Sequence, residues 1–288
     1  TLKPIDAAPV SGTFDSETSV AMRLSGDTAH LCQHFVGRTI KGIKNSESPQ
    51  WLKDRLTAVG LRPVSAVVDI TQYINIDLGR PLHAFDTAKL SGDVGPRLAS
   101  DGEKITALNG NDYTLTDAML VISDDVSAQA IAGVMGGESS SCTEETTEIF
   151  LESALFDPIT IANTGRALVI VSDARYCFER GVDPASTIDG AEIATRMILK
   201  ICGGEASHLA IGGAAPDIGA TVSFRPTRVG QLGGIAITAD AVQEILKRLG
   251  FAIGNAESEA WQVSAPSWRR DVEGEHDLVE EVLRIHGY

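Results

Sequence analysis

Cysteine is scarce and dispersed: Cys32, Cys142, Cys177 and Cys202 stand far apart, with no CxxC or CxxH spacing. That excludes a zinc knuckle and a disulfide framework, and leaves four free thiols suited to a reducing compartment. The six histidines are scattered as well, so no metal site is read from them. No apolar run approaches the roughly 18 consecutive residues of a membrane helix. The longest, such as Ala118–Ile122, are strand-sized. Positive charge is in deficit, with 24 Lys and Arg against 39 Asp and Glu, a net charge of −15. A field of that sign repels nucleic acid and membrane surfaces, so any nucleic-acid contact must come from a local patch. There is no signal peptide and no initiating Met, and the chain stops at Tyr288 directly after a helical pattern. It reads as a processed or excised fragment of a cytoplasmic protein.

What is present is an ordinary globular composition, 43% hydrophobic and 22% charged over 288 residues, with room for about two domains. The charge is uneven. Residues 29–92 hold eight basic against five acidic side chains, and residues 93–160 hold two against thirteen. Turn formers at Pro4, Pro9, Gly12 and Asp15 mark residues 1–28 as a linker or a remnant of a preceding domain. Phe35–Ile40 reads as a strand. Ser48 is expected to cap a helix with Pro49 in its first position, stopped by Gly60. Residues 97–122 read as a β-meander with turns at Asp101-Gly102 and Asn109-Gly110. Gly133, Gly136 and Gly137 allow close approach of a ligand to the backbone. Glu148–Ala154 reads as a strand, and Ser186–Cys202 as a helix ended by Gly203-Gly204. After a linker over 206–219, strand, helix, strand and helix follow from about residue 220, a small α+β module.

Four segments carry a resemblance. They are Arg62-Pro63 through Val68-Asp69-Ile70-Thr71 to Gly79-Arg80-Pro81-Leu82-His83-Ala84-Phe85-Asp86; Gly133-Val134-Met135-Gly136-Gly137-Glu138; Ser172-Asp173-Ala174 with Phe178-Glu179-Arg180-Gly181-Val182-Asp183-Pro184; and Ala265-Pro266-Ser267-Trp268-Arg269-Arg270-Asp271 with Asp277–Val282. In this order the chain resembles the central part of bacterial phenylalanyl-tRNA synthetase β subunits. The resemblance implies an α+β fold. An editing module of mixed sheet and helices spans 29–205, and a winged-helix-like module, truncated at its C-terminal end, spans 220–288. It implies phenylalanine tRNA and an α subunit as partners, in a heterotetramer of two α and two β chains. Amino-acid activation with ATP belongs to the α subunit, so this chain alone would not aminoacylate.

The chemistry of such an enzyme calls for a second site. An apolar slot for phenylalanine cannot strongly reject tyrosine, which merely adds a hydroxyl. A carboxylate reads that hydroxyl by accepting its O–H, because a bare phenyl ring would leave the carboxylate buried and unpaired. Glu152 falls on the family's tyrosine-reading position, and His83 on its pocket histidine, where it would orient water or the tRNA 3′ end. Gly133 and Gly136 fall on pocket-lining glycines, Ser172 and Ala174 on small wall positions. Gln72 stands where the family often carries Asn, keeping the amide and adding a methylene. Each has a plainer reading: a strand glutamate, a structural histidine after a turn, glycines of a turn, small residues of a packed loop. No Ser-His-Asp order is present and Cys177 has no nearby His, so a covalent nucleophile is not expected.

Asp277, Glu280 and Glu281 are spaced to share one helix face, with Asp271 ahead of them. The resemblance implies a Mg²⁺ site there, shared with the α subunit and expected to be unoccupied in a fragment. The plainer reading is a solvated acidic face near a helix N-terminus. The rival function is a non-enzymatic scaffold or binding module for the α subunit or nucleic acid. The seven basic and ten acidic residues of 221–288 argue against autonomous DNA binding.

Overall fold

The computed structural model describes residues 6–216 and 221–288, which fall in two compact units divided after Pro216. The first five residues, and the junction at 217–220 expected to close the linker and open the second module, lie outside the described residues.

The first unit opens with β1 (Cys32–Lys41), α1 (Gln50–Ala58), α2 (Ala66–Leu78) and β2 (His83–Asp86). The meander follows as short strands: β3 (Gly95–Leu98), β4 (Lys104–Thr106), β5 (Asp112–Thr114), β6 (Leu120–Ser123), β7 (Ala128–Ile131) and β8 (Met135–Gly136). Then come β9 (Glu148–Phe156), α3 (Pro158–Ala167), α4 (Asp173–Phe178), α5 (Ser186–Cys202), β10 (Glu205–Ala206) and β11 (Ala210–Gly213). The main sheet has the order β10-β1-β9-β2, with β11 also on β1. Its ladders are all antiparallel. Among the described residues parallel pairing is confined to the isolated bridges Phe14–Ser207 and Val20–Val94, so the expected mixed sheet is an antiparallel one.

Both faces of this sheet are covered, which is why β1 is buried from His34 to Ile40 and β9 from Ile149 to Phe156. Ile149 and Leu151 of β9 face a cluster with Leu52, Ile70 and Ile198 from the three helices α1, α2 and α5. Phe150, Ala154 and Phe156 face the other way, into a cluster with Leu120, Ile122 and Ile131 of the four-stranded sheet β3-β6-β7-β8. The alternation along β9 thus divides two cores.

Three local expectations are corrected. Ser48 does not cap α1. Pro49 holds the cap position, and the Ser48 hydroxyl donates instead to Asp69 Oδ2 at 2.6 Å. Asp69 is fully buried in the first turn of α2 and also accepts from the Val64 amide, so the pairing stitches one helix start to the other. Much of the stretch expected as a linker is sheet: Ala210–Gly213 pairs with His34–Gly37, satisfying an edge of β1 that would otherwise carry unpaired amides. Residues 6–24 are bound to this unit as well. Buried Arg38 donates to the Val10 carbonyl at 2.6 Å and pairs with Glu192 at 2.8 Å, and Glu192 accepts from the Val10 amide.

The second unit contains β12 (Thr221–Phe224), α6 (Thr227–Gly233), α7 (Ala239–Arg248), β13 (Ala252–Gly254), β14 (Trp261–Ser264) and α8 (Glu275–His286). Its sheet, β12-β14-β13, is antiparallel and packs Phe224, Trp261 and Val263 against Val242, Leu246, Leu278 and Val282. Thr238 caps α7 as its sequence indicates.

The turn after α3 breaks a rule of sequence. The Ile170 amide returns to the Gly165 carbonyl and the Val169 amide to that of Arg166, a Schellman closure. The left-handed position belongs to Val169, at φ 55°, where glycine is usual. A β-branched residue there costs about 1–2 kcal/mol, and its side chain, 85% exposed, recovers little by packing. Val169→Gly should therefore stabilise the protein by about 1 kcal/mol after the entropy cost of glycine. Urea denaturation decides it; a less stable variant would refute the strain.

Candidate functional site

The sheet register sets His83 of β2 directly opposite Glu152 of β9. Directly opposed side chains leave the sheet on the same face, about 5 Å apart at Cβ. For this pair that is the face turned towards the meander, where Glu152 and His83 meet a cavity of about 60 Å³. Ile122, Ile131, Phe156 and Phe178 supply its apolar wall, and Pro81, Leu82 and Ala174 continue it.

Glu152 is 6% exposed, and no described residue hydrogen-bonds its carboxyl group. Burial disfavours the charged form and pushes its pKa up to about 8. The His83 ring stacks edge-on against Phe85 at 4.4 Å, and its Nε2 is buried without a protein partner. Burial pushes that imidazole down to about 4. At neutral pH both groups are uncharged: a carboxylic acid that can donate and accept, beside an imidazole with one nitrogen free.

The glycines are required by contact. A methyl group built on Gly136 would lie 2.3 Å from Cε1 of His83 and 2.9 Å from Leu108, so the imidazole occupies the room the missing side chain leaves. Gly133 is left-handed, at φ +65°, and a methyl group there would press on Ile161, Phe156 and Phe178 at 3.0–3.1 Å. Ser172 stands behind the wall. Its hydroxyl accepts from the Arg175 amide to cap α4, and donates to the Val134 carbonyl at 2.6 Å, tying that helix to the glycine turn. Gln72 does not line the cavity; its Oε1 is buried elsewhere on α2 without a protein partner. The structure therefore brings together His83, Gly133, Gly136, Glu152 and Ala174, with Ser172 in support. The aromatic wall was not foreseen, because Phe156 and Phe178 read as ordinary core residues. Nor was the burial of Arg80, which the sequence showed only as part of a motif.

The acids of the second unit behave differently from expectation. Arg269 grips Asp271 through two hydrogen bonds, at 2.8 and 2.6 Å, and holds its carboxyl below the usual range. Glu281 is buried. Desolvation works to raise its pKa, but bonds from Arg269 and Arg284 keep it low. Asp277 accepts from the amides of Glu273 and Gly274 at the start of α8, and Glu280 accepts from the Tyr288 hydroxyl. Among the described residues no three metal-ligating side chains converge. Arginine and backbone amides already fill the place of a cation, so these four residues as arranged do not fit a Mg²⁺ shell.

Two domain families match the chain: the B3/4 domain over residues 31–203 and the tRNA synthetase B5 domain over residues 222–288. The chain belongs to the B3/4 domain family. The cavity lies in the B3/4 domain and the arginine-paired acids in the B5 domain. Phenylalanine–tRNA ligase beta subunit from Paramagnetospirillum magneticum is 53% identical over 287 residues, covering 100% of this chain and 36% of that protein. The beta subunit from Cereibacter sphaeroides is 52% identical over 284 residues, covering 99% and 34%. The chain thus spans about a third of the length of these relatives. A crystal structure of an N-terminal fragment of the Pyrococcus horikoshii phenylalanyl-tRNA synthetase beta subunit aligns at 13% identity and a TM-score of 0.42, over 98% of this chain and 80% of that one. No helix among the described residues is long and apolar enough to cross a membrane.

Three predictions rest on these charges. Glu152 titrates near 8 in the folded B3/4 domain and near 4.5 when unfolded, so between those values only the folded state keeps its proton. Stability must fall as pH rises through that window, by about 1.4 kcal/mol per unit. His83, lowered from 6.5 to about 4, gives the opposite slope below 6.5 and cancels much of the fall there. The net loss should appear between pH 6.5 and 8 and vanish in Glu152→Gln. Urea titrations at several pH values measure it, and an unchanged slope in the variant would contradict the burial. In the B5 domain, Arg269→Met should cost about 1–3 kcal/mol by leaving Glu281 short of a partner. Melts in MgCl₂ and in NaCl of matched ionic strength should coincide for the parent chain.

Proposed function

We propose that the B3/4 cavity is an editing site that hydrolyses tyrosine misattached to phenylalanine tRNA. Glu152 carries this reading: a lone, protonated carboxyl group in the wall of an apolar cavity. A phenyl ring entering there would leave the acid without a partner, whereas a phenol completes its hydrogen bonding. Leaving a buried polar group unmet costs about 1–3 kcal/mol, which is roughly ten- to a hundredfold in preference.

At about 60 Å³ the cavity is smaller than the ~150 Å³ that takes up benzene in an engineered apolar core, so admitting a phenol requires side chains to move. His83 and Leu108, which lie over Gly136, are the groups placed to yield. An aminoacyl ester needs no covalent nucleophile. Water adds to the carbonyl carbon, the bond to the ribose oxygen breaks, and that oxygen leaves with a proton, giving free tyrosine and tRNA. With its pKa near 4, His83 is a weak base at neutral pH and acts by accepting a hydrogen bond from the water.

On this reading the segment works within a cytoplasmic phenylalanine–tRNA ligase. An α subunit, two copies with two of the β chain, makes the aminoacyl ester, and the tRNA carries it to the cavity. No step here passes through Mg²⁺, since the acids expected to bind it are engaged by arginines, backbone amides and the Tyr288 hydroxyl.

Calorimetry should show tyrosine binding about tenfold or more tighter than phenylalanine, with the preference abolished in Glu152→Ala. A crystal soak should place the phenol against Glu152. Equal affinity for the two amino acids would overturn the reading and leave the segment as a non-enzymatic scaffold.

A further inference from the structure

We infer that Arg80 is a positioning residue that holds the Glu152 and His83 strands at the spacing their shared cavity requires. The inference rests on the editing reading of that cavity. Arg80 stands in the turn between α2 and β2, where its side chain is fully buried. Its guanidinium ties its own stretch of chain to two others. It donates to the Ala154 carbonyl at 2.7 Å, two residues beyond Glu152 on β9. It donates to the Asp183 carbonyl, and twice to the Ser186 hydroxyl, at 2.9 and 2.8 Å. Each stretch continues into a cavity wall. Pro81, Leu82 and His83 follow Arg80 itself, Phe156 follows Ala154, and the segment at 183–186 comes directly after α4, which carries Ala174 and Phe178.

The arrangement is costly in the way positioning devices are. No described carboxylate lies within ion-pair distance of Arg80; carbonyl and hydroxyl oxygens take its hydrogen bonds, and the Asp183 carboxylate offsets the burial only from farther away. Burial pushes its pKa down to about 10. An apolar side chain of similar length would fill the space without that desolvation cost. Space is also reserved for the arginine: a methyl group on Gly190 of α5 would lie 2.6 Å from its Cγ. What an apolar residue would not supply is a fixed link from the start of β2 to β9. β2 is a strand of four residues whose ladder is with β9; on its other side it is held only near its far end, by an isolated bridge from Phe85 to Ser141. Without the link, the His83–Glu152 pairing at the start of β2 is set by the short ladder and by a bridge two residues further on.

The test compares Arg80→Met with Leu52→Ala, which removes core from α1 in the helix layer on the far face of the sheet, away from the cavity. Both should lower the melting temperature. Only Arg80→Met should also bring the Glu152 titration, followed by carbon-detected NMR without ligand, about one pH unit down towards the ordinary range. It should likewise cut the preference for tyrosine over phenylalanine about tenfold. If Arg80→Met does not fold, Ser186→Ala, which removes the acceptor of two of the bonds, must shift the same titration in the same direction. Equal behaviour of Arg80→Met and Leu52→Ala, or an unmoved titration in Ser186→Ala when that variant stands in, would overturn the positioning role. A parent chain with no tyrosine preference would sink the editing reading instead, while the ligand-free titration still decides what Arg80 does.

Discussion

Nine residue pairs join β1 to β9, from Lys41 opposite Glu148 to Cys32 opposite Phe156, with one irregularity near Cys32. That ladder fixes which side of the sheet each residue of β9 serves. Ile149 and Leu151 complete the helix-side core, while Phe150, Ala154 and Phe156 complete the meander-side core. Glu152 shares the face of the second set. A slip of one residue would exchange every one of these positions, placing Ser153 at the cavity and a carboxyl group among the helices. The two cores resist such a slip from opposite sides, and the position of the lone acid follows from their agreement.

The buried cations bracket this ladder and solve one problem in two ways. Arg38, on β1, is neutralised by Glu192 of α5 and uses its remaining donors on the Val10 and Ser207 carbonyls. Pair and carbonyls together anchor the N-terminal stretch across the sheet. Arg80 has no counter-ion in contact among the described residues and gives its hydrogen bonds to neutral oxygens. Removing one partner of a buried charge costs far more than the intact arrangement contributes, so both arginines make the fold intolerant of alternative pairings.

The B5 domain treats its acids by the same logic nearer the surface. Arg269 and Arg284 compensate the carboxylates of Asp271 and Glu281, and two free amides at the start of α8 receive Asp277. Compensation is local, which is how a chain of net charge −15 packs an acidic helix against an apolar core.

Sequence by itself determined the parts whose signal lies within one turn or one strand. Periodicity and terminal glycines gave α5 and α7 nearly to the residue, β-branched and aromatic runs gave β1 and β14, and turn dipeptides located the meander. The motifs around His83, Gly133 and Ser172 were enough to indicate the family. Glu152 and His83 were legible as candidates only through that resemblance, since a strand glutamate and a histidine after a turn are common. Tertiary structure alone decided that the two face each other, that Gly136 is filled by an imidazole, that Ser48 serves the neighbouring helix, that Arg80 is buried, and that arginines occupy the acidic cluster. Each of these depends on register or contact between residues distant in the chain. Local pattern encodes which face of an element is apolar, but burial, and with it the charge state of an acid or imidazole, is set by what the other elements bring against that face.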